Sequence, residues 1–115
     1  MSEEEAFAQL KTAAATLQIG LGAFEDKIRN VLLSIYVDGV FFRSPAPTIQ
    51  AVDATAMSSM NENAAINYIL AKCERLGIPV FLVRGHLINV VKELYRNDIT
   101  LVVGPGALQN MGRAP

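Results

Sequence analysis

Val31-Leu32-Leu33-Ser34-Ile35-Tyr36-Val37, followed by Asp38-Gly39-Val40-Phe41-Phe42, is the stretch on which the fold turns. The first seven residues are almost all apolar and rich in β-branched side chains. Such a run is short for a buried helix and predicts a central strand buried on both faces. Asp38-Gly39 suits either a tight hairpin turn or the end of a parallel strand, and Pro45 and Pro47 then keep the chain extended; we take the strand end. Upstream, Phe7, Leu10, Ala14, Leu17 and Leu21 recur at three- and four-residue steps, which predicts a first helix from Glu4 to about Gly22. Ser2 with Glu5 makes a capping-box pattern, and Glu3, Glu4 and Glu5 suit the positive end of the helix dipole. Glu25 to Asn30 reads as a polar connection.

Downstream, Thr48 to Val52 reads as a short second strand. Asn61-Glu62-Asn63 supplies cap material for a helix from about Asn63 to Leu76, with Ala65, Ile66, Ile69, Leu70 and Cys73 as its apolar stripe. Gly77 stands where a left-handed cap is wanted, and Ile78-Pro79-Val80-Phe81-Leu82-Val83 predicts another buried strand. A helix from Leu87 to about Tyr95 and a strand Ile99 to Val103, stopped by Gly104-Pro105-Gly106, complete the order. The expected fold is α/β, a small mainly parallel sheet of about four strands flanked by helices, with right-handed crossovers. One domain spans 1–115, with 107–115 as a fraying helical tail. No internal repeat is evident.

The chain has 115 residues, ten Lys and Arg against eleven Asp and Glu, and a net charge of −1, which gives no electrostatic reason to seek nucleic acid. One cysteine excludes an internal disulfide, and with a single histidine there is no closed zinc set. No metal and no cofactor is expected, and the thiol economy fits a reducing, cytoplasmic setting. The acidic start lacks signal-peptide character, and no apolar run reaches membrane length, so no membrane insertion is expected.

Candidate residues follow from the rule that ligands bind beyond the carboxyl ends of parallel strands. It gathers Asp38 and Gly39, Asp53 and Thr55, Arg84-Gly85-His86, and Gly104 to Gly106. Arg84 and His86 flank a glycine just before a helix, an arrangement suited to a small anion, with Asp38 and Asp53 as neighbours. Cys73 is the one candidate nucleophile. Lys72 and Arg75 would lower its pKa, but its place on the apolar stripe favours a buried, inert thiol. No nucleophile and base can be placed together, so whether the chain is an enzyme stays open. Met57 and Met60 read as loop packing.

Two family resemblances bear on these elements. Leu10 to Phe42, with Ala23-Phe24-Glu25-Asp26 and Val31 to Phe41, and Leu70 to Val103, with Leu76-Gly77-Ile78-Pro79-Val80-Phe81-Leu82-Val83, resemble the DsrE/DsrF/DsrH-like sulfur-relay proteins. The resemblance implies a small α/β oligomer of this chain or of homologous subunits. Active members carry a relay cysteine just after the strand corresponding to Val80 to Val83, where this chain has Val83-Arg84. A non-catalytic or divergent subunit is therefore implied. Val52 to Ala64, within Ile49 to Ile99, is similar to STAS regulatory domains, with Asn61-Glu62-Asn63 at their phosphorylation motif and Ser58 and Ser59 nearby. A STAS-like interaction module and a small-anion-binding enzyme are the alternatives to a DsrE-like subunit.

Overall fold

A computed structural model describes residues 1–44 and 58–104. The stretch Val31 to Val37 is helical. It belongs to α2 (Glu25–Val37), which follows α1 (Glu3–Thr16) and a single 3-10 turn at Gly22–Phe24. Strand β1 (Val40–Arg43) comes next, then β2 (Ser58–Ser59), α3 (Glu62–Arg75), α4 (Val80–Arg96) and β3 (Thr100–Val103). The sheet has the order β1-β3-β2, and both pairings are antiparallel. The mainly parallel α/β sheet expected from the sequence is therefore replaced by a mostly helical fold with a small antiparallel sheet. The expected strand at Thr48 to Val52 and the expected tail at 107–115 lie outside the described residues.

Neither of the two apolar runs expected as buried strands, Val31 to Val37 and Ile78 to Val83, is one. In α2, Ile28, Val31, Leu32 and Ile35 are buried at steps of three, one and three, while Leu33 and Val37 face solvent. That is a helical stripe once the charged residues before Val31 are included in the window. Ile78 to Val83 is not a strand either, because α4 begins at Val80 behind Pro79, which serves as N-cap. Proline lacks the N–H that a helix start would leave unbonded, so it enters a helix there at little cost. Other sequence expectations hold. The Ser2/Glu5 capping box opens α1, Asn61 Oδ1 accepts from the Ala64 N–H at 2.7 Å, and Gly77 takes the left-handed conformation after α3.

The structure contains an internal repeat that the sequence alone did not betray. A shift of 59 residues carries Met1 to Met60, Tyr36 to Tyr95 and Phe42 to Leu101, and it preserves the bonds among them. The Tyr36 hydroxyl donates to the Met1 carbonyl at 3.0 Å and accepts the Phe42 N–H at 3.1 Å. The Tyr95 hydroxyl donates to the Met60 carbonyl at 2.7 Å and accepts the Leu101 N–H at 3.2 Å. The Met1 ammonium donates to the Phe42 carbonyl at 3.0 Å, as the Met60 N–H does to Leu101 at 2.8 Å. The helix corners match as well: Ile19 N–H bonds the Ala14 carbonyl at 2.8 Å and Ile78 N–H bonds that of Cys73 at 2.9 Å, after left-handed Gln18 and Gly77.

The two halves, α1-α2-β1 and α3-α4-β3, are thus related by a local twofold. Phe42 lies opposite Leu101, its own image, in the β1–β3 ladder. Antiparallel neighbours related in this way need an axis normal to the sheet, so the axis runs from the ladder through the helical layer. Each half packs its own two helices together, and the halves meet through α1 on α4 and α2 on α3. An apolar cavity on this axis is lined by image pairs: Leu10 and Ile69, Ile28 and Leu87, Val31 and Val90, Leu32 and Val91, Ile35 and Leu94. Because α1 leaves the sheet and α2 returns to it, both helix corners lie at the pole of the molecule opposite the sheet.

Candidate functional site

The residues expected to form one ligand site are not brought together. Arg84, Gly85 and His86 lie inside α4, not after a strand, and all three are exposed. Only the first N–H groups of a helix lack internal acceptors, so by Gly85 and His86 the backbone donors are already used within the helix. Asp38 caps α2 at the sheet end of the molecule, whereas Arg84 to His86 lie near the start of α4 at the opposite pole. Asp53 and Thr55, and also Met57, Pro105 and Gly106, lie outside the described residues. Gly104 does end β3: its N–H bonds the Gly39 carbonyl at 2.9 Å, and a Cβ at Gly104 would come within 3.0 Å of that same oxygen.

Asp38 belongs instead to a cluster between α2 and α3. Lys72 is buried although charged, and its Nζ donates to Ser34 Oγ at 3.2 Å and to the Asp38 carboxylate. Tyr68 stands one turn before Lys72 on α3. Burial, then the charge of Asp38 and a hydrogen bond to it, push the Tyr68 hydroxyl up to about 12. An ammonium has three donors and no acceptor, so Lys72 in an ion pair offers Ser34 no base. Tyr68 holds its proton at neutral pH. The cluster therefore ties the two halves and does not form a nucleophile and base.

The repeat makes the asymmetry of this cluster visible. At the matching interface of α1 with α4, Ala13 stands where Lys72 would be, and Glu93 and Asn97 stand for Ser34 and Asp38. Ala13 and Glu93 are both buried, and the Glu93 carboxylate pairs with Arg96 at 3.2 Å. Sequence reasoning missed Ser34, Tyr68 and the role of Lys72. One signal was present: Lys72 falls three residues after Ile69 and beside Cys73, within the apolar stripe, where a solvated lysine does not belong.

Cys73 is fully buried on α3, as its stripe position implies, and burial pushes its thiol up to about 11. Among the described residues, no group of three or more His, Cys, Asp and Glu side chains could hold a metal ion, and no helix is long and apolar enough to cross a membrane.

At the far pole large apolar side chains stand exposed among charged ones. Phe81 is 83% exposed, Leu82 57% and Leu76 45%, all at the α3–α4 corner. Beside them a cleft opens between the α1–α2 corner and α4, lined by Ile19, Gly20, Leu21, Phe24 and Val83, with His86 on its lining. No protein-family model, no curated protein and no solved structure matches the chain.

Proposed function

We propose that this chain is a protein-interaction module that works through the pole opposite its sheet. The observation that carries the reading is the exposure of Phe81 and Leu82 on consecutive positions of the first turn of α4. Burying a side chain of this kind is worth roughly 1.5–3 kcal/mol, so two left in water beside an apolar cleft favour a contact that covers them. The polar groups argue the same way. Lys72, Asp38, Ser34 and Tyr68 satisfy one another, and Cys73 is sealed in the core. The sulfur-relay and STAS readings rest on sequence resemblances alone, and the exposed Phe81 and Leu82 favour interaction over relay.

A photo-crosslinking amino acid at Leu82, in cells that express the full chain, tests this. Discrete adducts are expected at Leu82 and none at Asn67, which is exposed on α3. Absence of adducts at Leu82, or the same adducts from both positions, would overturn the reading.

A further inference from the structure

We infer that the partner at this pole is a second copy of the chain, seated as a mutual knob-in-hole twofold dimer. The inference rests on the interaction reading above and adds the partner's identity and orientation.

The local twofold relates the α3–α4 corner to the α1–α2 corner. The same shift that equates the two tyrosines aligns Gly22 and Ala23, in the 3-10 turn before α2, with Phe81 and Leu82, in the first turn of α4. One side of the pole therefore carries two exposed large side chains, and the other carries a glycine and an alanine, both exposed, next to the cleft. A knob and a hole have been made at two positions related by the axis.

The charges differ in the same sense. Arg84, exposed on the knob side, has Glu25 as its image on the hole side; Glu25 is followed by exposed Asp26 and by exposed Lys27, whose ammonium lies over the Phe24 ring at 5.6 Å. Glu25 spends its charge only on a surface pair with Lys11 at 3.2 Å, both about half exposed, which leaves it free to exchange partners at small cost.

A second copy facing this pole can be placed by a twofold perpendicular to the internal axis. In one of the two simplest settings each knob meets the other's knob and Arg84 meets Arg84. In the other each knob enters the other's hole and each Arg84 meets a Glu25. The second setting satisfies shape and charge together, and it does so twice because the contact is isologous. The occupant of the cleft is then the Phe81-Leu82 turn of the partner.

Sedimentation of the full chain over a range of concentrations reads the assembly, and charge reversal at exposed Arg84 and half-exposed Glu25, neither of them in the core, reads its geometry. Arg84→Glu and Glu25→Arg should each weaken dimerisation at least tenfold, and the double variant should recover most of the loss. Phe81→Ala should weaken it by tenfold or more. Orientation is read by disulfide trapping in a Cys73→Ala background. A mixture of Leu82→Cys and Ala23→Cys chains should crosslink into mixed dimers, and Leu82→Cys alone should not.

A 12.5 kDa species at every concentration would overturn the inference. So would a dimer indifferent to both charge reversals, or efficient crosslinking by Leu82→Cys alone. Position-specific adducts at Leu82 to a different protein, together with a monomeric chain, would sink the second copy and leave the interaction reading standing. No adducts at all would sink both.

Discussion

Tyr95→Phe is the sharpest test of the repeat, because it deletes one oxygen that holds three segments together. That hydroxyl donates to the Met60 carbonyl at 2.7 Å, just ahead of α3, and accepts the N–H of Leu101 at 3.2 Å, in the middle of β3. Leu101 is fully buried, so its N–H finds no water when the oxygen goes. A buried polar group left unpaired costs about 1–3 kcal/mol, and the Met60 carbonyl, which is nearer the surface, costs less; a loss of about 2–4 kcal/mol follows. At about 4 °C per kcal/mol for a domain near this size, Tm should fall by roughly 8–16 °C. Urea denaturation followed by far-UV circular dichroism measures the change directly. Tyr36→Phe breaks the same two bonds at Met1 and Phe42 and should cost the same within about 1 kcal/mol, since the lost groups are the same. A Tyr95→Phe variant within about 0.5 kcal/mol of the parent, the range of an ordinary surface substitution, would refute the reasoning. A difference of more than about 2 kcal/mol between the two tyrosines would show that their matched geometry is not matched energy.

Two further outcomes are expected. Ala13→Lys puts an ammonium where Lys72 stands in the other half, beside buried Glu93, and should change stability by no more than about 1 kcal/mol, whereas Ala14→Lys, at the image of Cys73, buries an unpaired charge and should cost more than about 3 kcal/mol. Equal costs in urea would end the equivalence of the two interfaces. Stability should also fall in alkali: Cys73, raised from 9.0 to about 11, and Tyr68, raised from 10.0 to about 12, stay protonated in the folded chain after their unfolded counterparts ionise. Their contribution is whole below about pH 9 and is lost as the pH climbs to about 12, by proton linkage. Cys73→Ala should flatten the lower part of that slope and Tyr68→Phe the upper part, and a stability flat from pH 8 to 12, roughly the window this linkage spans, would contradict both shifts.

The sequence by itself determined the local signals. Ser2 with Glu5, Asn61, and Gly77 mark helix ends through bonds that span three or four residues, and each appears where expected. Cys73 was legible as buried because its stripe in α3 repeats over a whole helix, and β3 because Thr100 to Val103 is short, apolar and ended by Gly104. Val31 to Val37 and Ile78 to Val83 were not legible, because a short apolar run satisfies a buried strand and a buried helix equally until its neighbours are known. Those neighbours are images of one another across the axis, as with Ile28 against Leu87 and Ile35 against Leu94. The repeat is faint in the sequence for a related reason: Phe42 and Leu101, or Leu32 and Val91, are interchangeable in a packed core, so equivalence survives in bonds to Tyr36 and Tyr95 more than in residue identity. Lys72 and Asp38 are 34 residues apart, and only the packing of α3 on α2 decided that they meet. Local backbone chemistry is written in neighbouring residues, while a pairing across the core depends on which faces are left to bury one another after the helices have formed.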